Sequence, residues 1–369
     1  MMHILSALLL VLMFVPVLAS LAFMPYLTRE TVSFGVSVSE ETYRSEPLRR
    51  MRKAYALISL GIYTVLFLLC IYSAVQSKGN LEQNGAVAIY ISSMVVVSIA
   101  LNLIFHFKMK KLRLSLPSIP ASKSVLAVDT GFRRNKLILS NYWFLIHAAV
   151  IVASMLMVLL NYDKLPATIA MKFDFQGHIV NSVAKSYWTV LFPNVAQILM
   201  TLLFLFINWS ILRSKQQTYA GDPERSIRQN TLFRRRWSLF TILSGLAMVL
   251  LFSFIQINML HPLETSVMLF VSILIPAFVV LFAGILSFNT GQGGSRIGRA
   301  KSDPGSKVQP VNDDDFWKLG SIYFNPQDPS IFVEKRSGIG WTMNFAHPAG
   351  WIVLGGVLIA IAISLIFSV

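Results

Sequence analysis

Histidine, carboxylate and amide side chains are where chemistry in this chain would have to begin. The six histidines, His3, His106, His147, His178, His261 and His347, fall on six different segments without HxxxH or HExxH spacing, so zinc hydrolysis has no motif to rest on. Three consecutive carboxylates, Asp313, Asp314 and Asp315, cannot converge on one cation from a helix or strand, and a solvated helix start suits them better. No GxxxxGK[ST] and no GxSxG occurs, and the glycine run GQGGSRIG from Gly291 has no helix after it to complete a phosphate cradle. No catalytic residue, metal site or cofactor is expected.

The elements that would position any site are apolar. With 55% hydrophobic residues, 13% charged residues and a mean hydropathy of +0.62, the chain lies far from the soluble norm of about a quarter charged. An all-α integral membrane protein is expected, in contact with the lipid bilayer. Eight runs of about 20 residues can cross a hydrocarbon core: Ile4–Tyr26, Tyr55–Ser77, Gly85–His106, Trp143–Leu160, Trp188–Leu212, Trp237–Ile257, Val267–Phe288 and Ala349–Val369. The single cysteine, Cys70, lies inside the second run and allows no intrachain disulfide.

The basic residues orient these runs. The four odd connections carry 28 of the 32 Lys and Arg residues and the three even ones carry 4, so the odd connections belong in the cytoplasm and both termini outside. The net charge of +15 is therefore an expression of topology and of attraction to anionic lipid, and no direct nucleic-acid contact is expected. Glu46 to Lys53 suits a basic amphipathic helix on the inner leaflet, and Arg234, Arg235 and Arg236 suit a stop at the same surface.

All acidic and basic residues fall outside the runs, which argues against a proton relay or an ion-coupled transporter. Asn102, His106, His147, Asn194, Gln197, Asn208 and Gln256 fall inside. Interhelical bonds of about 0.6 kcal/mol each are their default use, although His147, a turn inside its run, is also able to titrate or bind a ligand. His3, His178 and His261 share the outer side and are free to converge there.

Between the fourth and fifth runs lies LPATIAMKFDFQGHIVNSVAK, an extended polar excursion in which Ile169, Met171, Phe173 and Phe175 alternate with smaller or polar residues before a turn at Gly177. Leu165, Pro166, Ile169, Phe173, Gly177 and Lys185 give a pattern that resembles LP..IP.HF...G..D....K, a loop domain of membrane proteins related to the SdpI immunity family. Ala170, Lys172 and Val180 stand where that pattern has proline, histidine and aspartate. Phe173 and Phe175 with the nearby Tyr187 and Trp188 offer an apolar lip for an amphipathic peptide, and Pro193, Asn194 and Gln197 follow and would line the floor of the loop.

The domain order expected is 1–141 for three helices with basic loops, 142–212 for the loop domain, 213–288 for two further helices, 289–312 for a glycine-rich flexible linker, and 313–369 for a small aromatic module with the final helix. In that module Trp317, Tyr323, Asn325, Asp328, Trp341 and Asn344 lie within YFNPQDP, FVEKR, GIGWTMNF and the residues just before them. These elements resemble the module that accompanies the loop domain in the same relatives, and a position against the inner mouth of the bundle is expected. The resemblance implies a non-enzymatic bacterial cell-membrane protein that confers immunity or resistance to a membrane-active antimicrobial peptide or toxin, with a cytoplasmic regulator as a further partner. A permease for an uncharged or lipid-like solute, using His147, Asn194, Gln197 and Gln256 as a polar path, and an envelope assembly role are the alternatives.

Overall fold

A computed structural model describes residues 2–76, 80–115, 136–173, 179–215, 223–298 and 313–356. Its helices are α1 (Met2–Ala22), α2 (Met24–Leu27), α3 (Glu40–Arg44), α4 (Glu46–Gln76), α5 (Asn80–Leu114), α6 (Phe144–Leu160), α7 (Tyr187–Arg213), α8 (Pro223–Leu260) and α9 (Thr265–Thr290). The six from α4 to α9 are long and apolar enough to cross a membrane, consistent with an all-α membrane protein. Of the two remaining expected spans, the apolar part of α1 is the shorter stretch Leu10–Ala22. The last expected span is helical over 348–356, and its remainder lies outside the described residues.

The helices pack as two groups. α1, α4 and α5 enclose Phe14, Tyr63, Phe67, Tyr90 and Met94, while α6, α7 and α8 pack on one another, and α9 touches both α1 and α8. Four two-stranded antiparallel sheets decorate the ends: β1 (Val32–Ser33) with β2 (Val36–Ser37), β3 (Thr168–Phe173) with β4 (Ile179–Ala184), β5 (Trp317–Lys318) with β6 (Ile322–Tyr323), and β7 (Phe332–Glu334) with β8 (Trp341–Met343). A parallel bridge from Tyr323 to Asn344 joins the last two sheets.

Several helices outrun the apolar segments that announce them. Glu46 to Lys53 is not a separate helix on a leaflet but the opening of α4, because Ser45 ends α3, Pro47 lies in the first turn where proline is tolerated, and the charged residues after it continue into the span. Proline at the N-terminus of α8 suits a first helical turn, and the helix runs through Arg234 to Arg236. Arg234 is fully buried and donates to the carbonyls of Ile211, Ser214 and Lys215 at distances of 2.6, 3.1 and 3.3 Å. It thereby closes the orphan carbonyl end of α7, which is a different role from a stop at the headgroups.

The start of the expected flexible linker is ordered. Gln292, Gly293 and Gly294 form a buried 3-10 turn, and Gln292 exchanges two hydrogen bonds with the backbone of Gly340 at 2.8 and 2.7 Å. A Cβ at Gly293, where φ is +62°, would run into Arg29 and Glu334. Residues 299–312 lie outside the described residues. The three aspartates do open a short helix, a 3-10 turn over Asp314–Phe316 with Asp315 exposed, but Asp313 and Asp314 are not simply solvated, since both pair with Arg336.

Candidate functional site

The excursion after α6 is a β-hairpin set on the ends of three helices. Leu165 and Ile169 are buried with Val158 of α6, Val190 of α7 and Met259 and Leu260 of α8. The alternation seen in the sequence places Ile169 and, less deeply, Met171 and Phe173 toward the bundle, and the pairing Ile169 with Val183 continues to Phe173 with Ile179 through register shifts around Lys172. Pro166 and Lys172 are exposed. Phe175, Gly177 and His178 lie outside the described residues, as does the suggested convergence of His3, His178 and His261.

Lys185 locks the hairpin at its base. Its ammonium donates to the carbonyls of Tyr162 and Leu165 at 3.3 and 3.1 Å and lies 4.9 Å from the centre of the Tyr162 ring, while its backbone N–H donates to Ala167. Tyr162 in turn stacks on Tyr187 at 4.3 Å. Ser186 accepts from the Thr189 N–H at 3.1 Å and so caps α7 immediately after the strand. The pattern lysine is thus a clamp that joins the entry and exit of the loop.

The exposed side chains of the hairpin are mixed, with Thr168, Lys172 and Ser182 beside large apolar ones. Ile179, Val180 and Val183 of β4 are exposed, and Tyr187 and Trp188 at the start of α7 extend the same region, with exposures of 61% and 64%. Among the described residues the sheet has two strands and neither outer edge has a further strand partner, and such edges can accept an extended segment from another molecule.

Beneath the hairpin, α6, α7 and α8 are tied by a polar cluster. Asn194 and Gln197 are buried within it and do not reach the hairpin surface. Asn194 donates to Ser154 and Gln197 at 3.0 and 2.9 Å, Gln197 donates to the Val249 carbonyl and Ser253 at 2.9 and 2.8 Å, and Gln256 donates to Asn194 at 2.6 Å. Inside lipid such amides must find partners within the protein. His147 is buried with Nε2 3.2 Å from the Ile242 carbonyl, and a Cβ at Gly245 would come within 3.0 Å of that nitrogen, so helix crossing and histidine are fitted to each other.

At the opposite end, residues from the stretch before α4, from the end of α7 and the start of α8, and from the module after α9 come together. The buried Glu334 accepts from Arg29 and from Asn230, the latter at 2.7 Å. Arg336 pairs with Asp313 and Asp314, donates to the Gly35 carbonyl at 2.9 Å and lies over Trp317. Asp328 accepts from Lys215 and from Tyr323 at 2.7 and 2.8 Å. Asn344 donates to the carbonyls of Asn325 and Asp328 at 2.9 and 3.0 Å, which staples the turns of the module. Trp341 packs on Phe233 of α8, and Phe332 on Phe206 and Trp209 of α7.

Charges at this end are set by their partners. Burial works against ionisation of Asp314, but Arg336 and hydrogen bonds from Ser37 outweigh it and hold the carboxyl below its usual range. Burial likewise opposes ionisation of Asp328, and Lys215, the Ser330 N–H and Tyr323 reverse the balance. Sequence inspection missed Arg29, Asn230, Glu334 and Arg336 as partners, because the two members of the Arg29–Glu334 pair are 305 positions apart. The glycines facing them are the one sequence signal of so close a packing.

Residues 149–196, from α6 through the hairpin into α7, match a family model described as a domain of unknown function (DUF1648). Residues 326–351, in the module, match one described as a family of unknown function (DUF5808). No curated protein and no solved structure matches the chain.

Proposed function

We propose that this multi-pass membrane protein is a non-enzymatic binding protein that captures an amphipathic, membrane-active peptide on the β3–β4 hairpin, and so protects the cell that carries it. The observation that carries this is the set of exposed apolar side chains Ile179, Val180 and Val183 on β4, with Tyr187 and Trp188 just after it, on a hairpin whose strands pair only with each other among the described residues. An incoming peptide adds main-chain bonds along an edge and buries its apolar face on these side chains. The alternating charge of the connections supports an outward-facing hairpin, and the resemblance to SdpI-related proteins supports immunity as the biological outcome. A regulator on the cytoplasmic side would read the module.

The test compares susceptible cells with and without the protein against a panel of membrane-active peptides. Survival that rises with the wild type, and falls back when Val183 and Trp188 are replaced by serine at equal protein levels, is the expected result. Unchanged sensitivity to every peptide sinks it. The permease alternative draws on the polar cluster of α6 to α8, yet the amide donors there are taken up by helix-to-helix bonds. Solute flux in proteoliposomes that vanishes in a Gln197→Leu, His147→Leu variant would favour it instead.

A further inference from the structure

A cavity of about 160 Å³ lies where α1, α4 and α9 leave their apolar runs, lined by Tyr26, Thr28, Glu30, Tyr43, Arg52, Ser295 and Arg296. Arg52 is 5% exposed. It donates to the Tyr43 carbonyl at 2.9 Å and stacks on the Tyr43 ring at 3.8 Å, yet its buried Nε–H has no partner among the described residues. A buried guanidinium with an unused donor is costly unless an acceptor comes to it. From the other side Arg296 donates to the carbonyls of Phe288, at 2.7 Å, and Tyr26. The carboxylate in the lining, Glu30, is engaged by Arg44 at 3.0 Å, so the site faces an incoming group with two cations against one paired anion.

We infer that this cavity binds a phosphate oxyanion, held between Arg52 and Arg296 with Ser295 as a further donor. Guanidinium forks match phosphate geometry, and the volume corresponds to about five waters at roughly 30 Å³ each, room enough for one tetrahedral group. Ser295 and Arg296 come from the glycine run GQGGSRIG. Phosphate would therefore be held there by side chains borne on a tight turn, and not by a backbone cradle at a helix start. Exposed apolar faces lead up to the cavity, with Phe23 at the end of α1 in ring contact with Phe288 of α9 at 6.3 Å, and Phe282 and Ile285 continuing along α9. Acyl chains on that surface would deliver a phospholipid headgroup phosphate; free phosphate is the other source of the same chemistry. Nothing in this assignment depends on peptide capture.

The full chain, purified in detergent, is followed by native mass spectrometry and thermal unfolding with phosphatidylethanolamine, phosphatidylglycerol or inorganic phosphate added. One phospholipid per chain is expected to persist and to raise Tm, with Arg52→Gln and Arg296→Gln each weakening it about tenfold or more. Ser295→Asp places a carboxylate between the arginines, so this variant should fold and lose the phospholipid, which decides the matter even if Arg52→Gln does not fold. If inorganic phosphate alone stabilises the wild type and Ser295→Asp abolishes the effect, the site stands with free phosphate as its ligand. Binding of neither by the wild type, or equal binding by Ser295→Asp and Arg296→Gln, overturns the assignment.

Discussion

The two ends of the bundle solve opposite problems. At the module end, Arg29, Asn230, Glu334, Arg336, Asp313 and Asp314 are satisfied by partners from distant parts of the chain. At the hairpin end, Lys185 is the clamp and Ile179, Val180 and Val183 of β4 are left exposed. Buried ions tolerate few arrangements, because a charge without its partner is far costlier than the pair is favourable. Apolar residues on a hairpin accept many partners. One end is therefore built to hold a single arrangement of its own chain, and the other keeps surface available for something else.

The sharpest way to break this comparison is Glu334→Ala, which removes the buried carboxylate shared by Arg29 and Asn230. Removing one partner of a buried pair costs about 3–5 kcal/mol, and the module should come away from the bundle, read as new protease cleavage within residues 313–347 at temperatures where the wild type is protected. A smaller loss is expected for Gln197→Leu, which removes interhelical bonds to Ser154, the Val249 carbonyl and Ser253 between the two ends. At about 0.6 kcal/mol for each interhelical bond, thermal unfolding should shift by the equivalent of about 1–2 kcal/mol. A shift as large as that of Glu334→Ala would erase the distinction between the module end and the bundle.

Acid offers a graded version of the same contrast. The folded-state carboxyls of Asp314 and Asp328 titrate below the ordinary value of 3.8, so their contribution is present above that value and is lost as pH falls through their lowered range. Protease protection of the module should therefore fall on acidification below pH of about 4, while the hairpin base, clamped by a lysine, should keep its protection over the same interval. Equal loss at both ends would remove the electrostatic account of the module.

Much of the bundle was legible because a span is an intrinsic property of a local run; Trp143–Leu160 and α6 nearly coincide. The hairpin showed in the alternation from Ile169 to Phe173, since a period of two needs no distant partner. The beginnings of α4 and α8 did not show, because hydropathy marks where lipid begins and not where helical hydrogen bonding begins. Glu, Arg and Lys favour helix in water as well. The Arg29–Glu334 pair and the Arg52–Arg296 cavity were hidden for a further reason. Each is made by residues far apart in sequence, and a lone arginine in a basic loop looks the same whether it is solvated or enclosed.

The smallest expected effect on stability carries the most weight for the hairpin. Ile179→Ser and Val183→Ser change residues that are 61% and 42% exposed, and exposed substitutions away from caps and cores usually fall within about 0.5 kcal/mol. If this face serves the fold, the double variant should unfold earlier, because Val183 pairs across the hairpin with the buried Ile169. If it serves a partner, thermal unfolding should be unchanged while binding of an amphipathic peptide to protein-bearing nanodiscs weakens by about tenfold, the loss that follows from withdrawing two apolar side chains from a contact. Lys185→Met is the control that separates these outcomes. It opens the hairpin at the carbonyls of Tyr162 and Leu165, so it should lower both stability and binding, whereas the serine pair should lower binding alone.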